Sequence, residues 1–128
     1  MPLARVDLAV GKSAEYRQTI GDVIYDAMLS ALNVPQHDRF QVITEHPPEG
    51  FIFDATYLGI QRTADCIFIQ LILNEGRTVD TKRAFYRAVV DGLRMRLNVR
   101  TQDVLIVLVE VKKENWSFGN GEAQYAPL

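Results

Sequence analysis

Gly11-Lys12-Ser13 and Gly76-Arg77-Thr78 open two stretches of this chain that read as one structure written twice, 65 positions apart. The offset holds well beyond the turns. At the same spacing Asp26 meets Asp91, Leu32-Asn33-Val34 meets Leu97-Asn98-Val99, Asp38 meets Asp103 and Glu45 meets Glu110. Behind the first turn, Ile20, Val23, Ile24, Ala27, Met28, Ala31 and Leu32 recur at the three- and four-residue spacing of one helical face. Ser13 stands where a helix cap accepts amide hydrogens, and Glu15 puts a negative charge in the first turn. Asn33-Val34-Pro35 ends the helix, because proline disfavours helix in the residue before it. Thr78 is the second cap, and Phe85, Ala88, Val89, Gly92, Leu93 and Leu97 form the second apolar face.

Strands flank both helices. Leu3 to Ala9 alternates around Arg5 and Asp7 as a half-buried strand does, and Arg39 to Glu45 reads as its partner. Ile67 to Leu73 and Val104 to Val111 are nearly unbroken apolar runs, expected to be covered on both faces. The chain is therefore expected to be a single α+β domain, 2–128, made of two β-α-β units at about 2–46 and 66–111, a connecting loop 47–65 and a tail 112–128. Two architectures fit. One is a ferredoxin-like sandwich, the other a four-stranded sheet with both helices on one face. Either leaves one sheet face to be covered, so oligomerisation over that face is expected.

Composition narrows the function. The 128 residues carry a net charge of −2, which supplies no electrostatic footprint for nucleic acid and no basic block for a membrane surface. No apolar run reaches the roughly 18 residues of a spanning helix, and no signal peptide is recognisable. Cys66, the one cysteine, lies in an apolar run and has no internal partner, which fits a reducing, cytoplasmic setting and a buried packing role. Metal-ligand spacing and a phosphate loop are both missing, so no metal and no cofactor is expected.

The chemistry is expected at the amino end. Met1-Pro2 is a start from which methionine is normally trimmed, leaving Pro2 with a secondary amine. Proline tolerates the first position of a strand because it has no amide hydrogen to give the ladder. Fixed there, the amine is an anchored base or cation. The loop 47–65, with Phe51, Phe53, Tyr57 and Leu58, is long enough to be functional or interfacial. In the tail, Trp116 and Phe118 beside Gly119 and Gly121 are expected to cover a sheet edge or to wall a pocket.

Taken together, Pro2, the Gly-Lys-Ser and Glu-Gly-Arg-Thr turns and the two-unit layout resemble the tautomerase superfamily. Val34-Pro35, Asp38-Arg39-Phe40-Gln41 and Asn115-Trp116-Ser117-Phe118-Gly119 resemble its malonate semialdehyde decarboxylase branch. The second unit by itself is similar to the short tautomerases of the 4-oxalocrotonate type, through Glu75-Gly76-Arg77-Thr78 and Phe118-Gly119. The resemblance implies a duplicated β-α-β fold with both helices on one face of the sheet, assembled as a homotrimer with a pocket around each terminal proline. It also implies that Pro2 is the catalytic proline, Asp38 the aspartate that positions or activates water, and Arg77 a carboxylate-binding arginine. The branch's second arginine, two residues earlier, is replaced by Glu75.

These groups suit proton transfer on a small 2-oxo acid. An α-amine titrates at roughly 7.7–8.0 in model compounds. A cation about 6 Å away, at an effective dielectric of about 20, opposes its protonation by about 3 kcal/mol, and burial acts in the same sense. Arg77 would thus hold a substrate carboxylate and keep Pro2 a neutral base, while Glu75 acts against the second effect. Three functions follow: a cofactor-free tautomerase of small 2-oxo (enol) acids, a decarboxylase or hydratase like that of the related branch, or a non-catalytic ligand-binding module. The expected site is Pro2, Asp38 and Arg77, walled by Trp116 and Phe118.

Overall fold

The structure, a computed structural model, describes residues 2–128. Its elements run β1 (Leu3–Ala9), α1 (Ala14–Ala31), β2 (Phe40–His46), β3 (Ile67–Asn74), α2 (Val79–Leu97) and β4 (Val104–Val111). The strands form one sheet in the order β2-β1-β3-β4. β1 and β2 are parallel, as are β3 and β4, while β1 and β3 meet antiparallel. Of the two architectures compatible with the sequence, this is the second.

The duplication is carried into the register. Leu3 opposes Phe40 in the first unit, and Phe68 opposes Leu105 in the second, each pair displaced by the same 65 positions. At the junction Arg5 opposes Gln70, its own counterpart, so the units are related by a two-fold axis between those residues. Local chemistry repeats as well. The Ser13 side chain accepts from the Tyr16 amide, and that of Thr78 accepts from the Thr81 amide. Gly11 and Gly76 lie at φ 117° and 120°, a region from which a Cβ excludes other residues. Arg17 pairs with Glu45 at 2.9 Å, and their counterparts Lys82 and Glu110 pair at 2.7 Å.

Both helices cover the same side of the sheet. Ala4, Val6 and Leu8 of β1 and Ile67, Ile69, Leu71 and Leu73 of β3 point to that side, and they share one core with Ile20, Ile24 and Met28 of α1 and Phe85, Val89 and Leu93 of α2. The helices meet where Gly92 faces Val23.

The other face corrects one expectation. The sequence predicts cover on both sides of β3 and β4, but alternate residues of β4, Leu105, Val107 and Val109, are 37–45% exposed within the chain, and Phe40 and Val42 of β2 are 49% and 41% exposed. Part of that face is covered by the loop 47–65: the Phe51 ring lies 4.6 Å from Phe68 and stacks on His46, and Phe53 meets Phe68 edge-on. His46 Nε2 lies 2.6 Å from Asp7 Oδ1 on the same side. β2 also begins one residue later than the sequence suggests, since Arg39 turns away to pair with Asp22 at 2.8 Å. No helix among the described residues is long and apolar enough to cross a membrane.

Candidate active site at the head of the first strand

Pro2 is buried at the entry to β1. Because Leu3 opposes Phe40 on one side and Ile72 on the other, the head of β1 lies between the start of β2 and the end of β3. Three expected site residues belong to that end of the sheet. Asp38 precedes β2 by two residues, Arg77 follows β3 by three, and Trp116 reaches back to Asn74, the last residue of β3. The expectation that Met1 is removed concerns a residue outside those described.

Asp38 is held in a tight turn. Its amide donates to the Pro35 carbonyl at 3.2 Å, and the neighbouring His37 amide donates to the Tyr25 hydroxyl at 2.9 Å. Asp38 is only 6% exposed. Burial pushes its carboxyl above the usual aspartate range, and the positive charge of the chain's amino terminus opposes that rise. Its counterpart Asp103 has a different task. Fully buried, it accepts from the amide and hydroxyl of Thr63, each at 2.7 Å, and so anchors the end of the 47–65 loop. The duplicated aspartate is a clamp in one unit and stands at the amino end in the other.

Arg77 is half-buried and closes the end of α1. Its Nη2 and Nε donate to the Leu32 carbonyl at 3.0 and 3.4 Å, and its Nη1 donates to the Asn74 carbonyl at 3.1 Å. A cation is favourable there, because the last carbonyls of a helix carry partial negative charge. Three of the five guanidinium N–H groups are thus engaged. The other two, one on each terminal nitrogen, have no partner among the described residues, and they form the end of the guanidinium that can receive a carboxylate. Glu75 is exposed, with its amide bonded to the Val111 carbonyl at 2.9 Å.

The tail forms an aromatic wall. Trp116 and Phe118 stack with ring centres 5.4 Å apart, Phe118 approaches Phe40 at 6.4 Å, and Tyr125 meets Phe118 edge-on at 5.4 Å. The wall is tied down by the Trp116 indole, which donates to Asn74 Oδ1 at 2.7 Å, and by Gln124, which accepts from the Phe118 amide at 2.9 Å. Beside it opens a cavity of about 300 Å³ lined by Pro35, Asn74, Lys113 and Tyr125. The sequence reading missed Asn74 and Tyr125. Asn74 had one signal: it is a polar residue ending an apolar strand, where the first unit has Ala9.

Comparison with known proteins identifies the family. Two models of the tautomerase enzyme family match the chain, over residues 2–60 and 38–119. The "Probable tautomerase YusQ" of Bacillus subtilis (strain 168) is 38% identical over 124 residues, which span 97% of this chain and 98% of that protein. Malonate semialdehyde decarboxylase inhibited by 3-bromopropiolate superposes with a TM-score of 0.89 at 37% identity, covering 96% of this chain and 93% of that one. A second malonate semialdehyde decarboxylase structure gives a TM-score of 0.90 at 29% identity over 96% and 95% of the two chains. With its duplicated β-α-β sheet and matches that span its length, this chain belongs to the tautomerase family of enzymes.

Proposed function

We propose that the protein is a cofactor-free tautomerase of small 2-oxo acids, with the amine of Pro2 as its base. The supporting observation is the convergence of three unlike groups on one end of the sheet: buried Pro2, Arg77 with two uncommitted N–H groups, and an ordered aromatic wall. In this reading Arg77 holds the substrate carboxylate, and Trp116 and Phe118 pack against its carbon chain. The neutral amine takes the proton from the enol oxygen and returns it to C3 while the C2–C3 π bond gives way to a C2–O π bond, so the only σ bonds made or broken are those to hydrogen. Removal of Met1 is part of the proposal, because only then does Pro2 carry the amine. The uncovered sheet face supports assembly as a trimer.

A second reading, decarboxylation or hydration of a three-carbon acid, is favoured by Asp38. In this reading Asp38, buried two residues before β2, would stabilise a cationic amine on Pro2 and direct water. The two readings differ in the working protonation state. For the base, kcat/KM with phenylenolpyruvate falls as pH drops through the pKa of the amine, and Asp38→Asn retains most of the isomerisation. Activity lost as pH rises through that pKa, and abolished by Asp38→Asn, establishes the decarboxylase or hydratase reading instead.

A further inference from the structure

We propose that Asn74 is a substrate-recognition residue whose side-chain oxygen fixes Trp116 while its side-chain nitrogen donates to the carboxylate held by Arg77. The inference rests on the reading of this site as one for small 2-oxo acids. An indole N–H only donates, so the 2.7 Å contact with Trp116 assigns the amide: Oδ1 faces the indole and Nδ2 faces away from it. Asn74 is 9% exposed and lines the cavity beside Pro35, Lys113 and Tyr125, and Nδ2 has no partner among the described residues. Nδ2 is not sealed from solvent, so water meets it when the cavity is empty and a carboxylate entering the cavity takes the place of that water.

The backbone of the same residue completes the link. Its carbonyl accepts from Arg77 Nη1 at 3.1 Å, so Asn74 touches both the cation and the aromatic wall. The fold does not demand a polar group there, since the equivalent position of the first unit is Ala9, which ends β1 with no side-chain hydrogen bond. Recognition of the carboxylate by one arginine and one neutral amide also accounts for the loss of a second cation at Glu75. An amide donor holds the anion without adding charge near Pro2.

Trp116 is the only tryptophan in the chain, so its fluorescence reports on the site directly. The test is titration of the mature protein at about pH 8 with pyruvate and with its neutral ester, methyl pyruvate, where an aspartate is ionised. Asn74→Asp keeps an acceptor for the indole, removes both N–H groups and adds a repelling charge. It is expected to keep the wild-type emission maximum, weaken pyruvate at least tenfold and leave methyl pyruvate within twofold. Asn74→Ala, which copies the first unit, is expected to shift the emission to the red and to lower the preference for acid over ester at least tenfold. It also serves as the test should Asn74→Asp not fold. Pyruvate bound equally by wild type and Asn74→Asp, or equal losses for acid and ester, overturns the role of Asn74 and leaves the parent reading intact. Wild-type protein that shows neither saturable quenching by pyruvate nor any turnover of phenylenolpyruvate overturns the parent reading, and the assigned ligand with it.

Discussion

Arg77 and Lys12 stand at equivalent turns, yet their surroundings give them different work. Lys12 Nζ is 2.9 Å from Asp65 Oδ1 and lies over the Tyr16 ring, and the hydrogen bond to Asp65 is the main reason its pKa is raised. Its charge is already answered by a carboxylate. Arg77 hydrogen-bonds only to carbonyl oxygens, and Glu110, the carboxylate that feels its charge, is itself paired with Lys82, so two N–H groups of Arg77 stay available to an anion. Arg77→Ala should therefore lower kcat/KM about 100-fold, the effect of about 3 kcal/mol for a charge-assisted pair, whereas Lys12→Ala should stay within about threefold. Steady-state kinetics on both variants checks this, and equal small effects would remove Arg77 from the site. Asp38 makes a separate prediction about stability. Its folded pKa is raised by burial, so the folded state holds the proton more tightly than the unfolded chain. Its presence therefore costs stability as pH rises through the unfolded value towards the folded one, and above. Asp38→Asn should melt higher than wild type at neutral pH, with the gap closing near about pH 3, where both states of the aspartate are protonated. A variant that melts lower at neutral pH would show that the carboxylate is held by more than its burial suggests.

At the scale of elements, the helix pair depends on a close approach. A Cβ built on Gly92 would lie 2.7 Å from Val23 Cγ1, too near for real atoms, and a β-branched valine has little freedom to turn aside. Gly92→Ala thus sets about 1 kcal/mol of gained helix propensity against an overpacking cost of about 1–3 kcal/mol. A net loss of stability is expected, recovered when Val23→Ala is added. Chemical denaturation of the two single variants and the double variant checks both parts, and additive losses would show that the two positions do not conflict. Features that depend on neighbours in the chain were legible beforehand. Ser13, Thr78 and the apolar faces of α1 and α2 reveal their roles by spacing alone, and so the duplication could be read and the helices placed. Asn74 could not be assigned in the same way, because its partners Trp116 and Arg77 come from a tail and a turn that only folding brings together. The equivalence of Asp38 and Asp103 suggested a shared structural use, but the clamp on Thr63 exists in one unit only. The apolar run of β4 shows that cover is needed without saying which chain provides it.

At the scale of the whole molecule, the internal two-fold governs how copies can meet. Phe40 and Val42 on β2 are the counterparts of Leu105 and Val107 on β4, so both edge strands carry equivalent exposed apolar residues onto the helix-free face. The loop 47–65 covers the middle of that face with Phe51 and Phe53 and leaves the edges bare. One chain cannot bring its two edges together, because β1 and β3 lie between them. Burying each edge against the opposite edge of another copy is a head-to-tail contact, and such contacts finish only by closing into a ring. In the trimer proposed above, three chains would supply six β-α-β units to that ring. On that proposal the mature protein is expected to sediment at three times the 14.5 kDa chain mass at micromolar concentration. Every contact in the ring uses one edge of each kind, so Val42→Lys and Val107→Lys should each dissociate it to monomers. Such a lysine would have to be buried without a partner, at a cost of several kcal/mol. Sedimentation velocity distinguishes the alternatives. Loss of assembly in only one variant would point to a symmetric contact through a single edge, and a monomeric wild type would leave the bare edges without the role assigned to them.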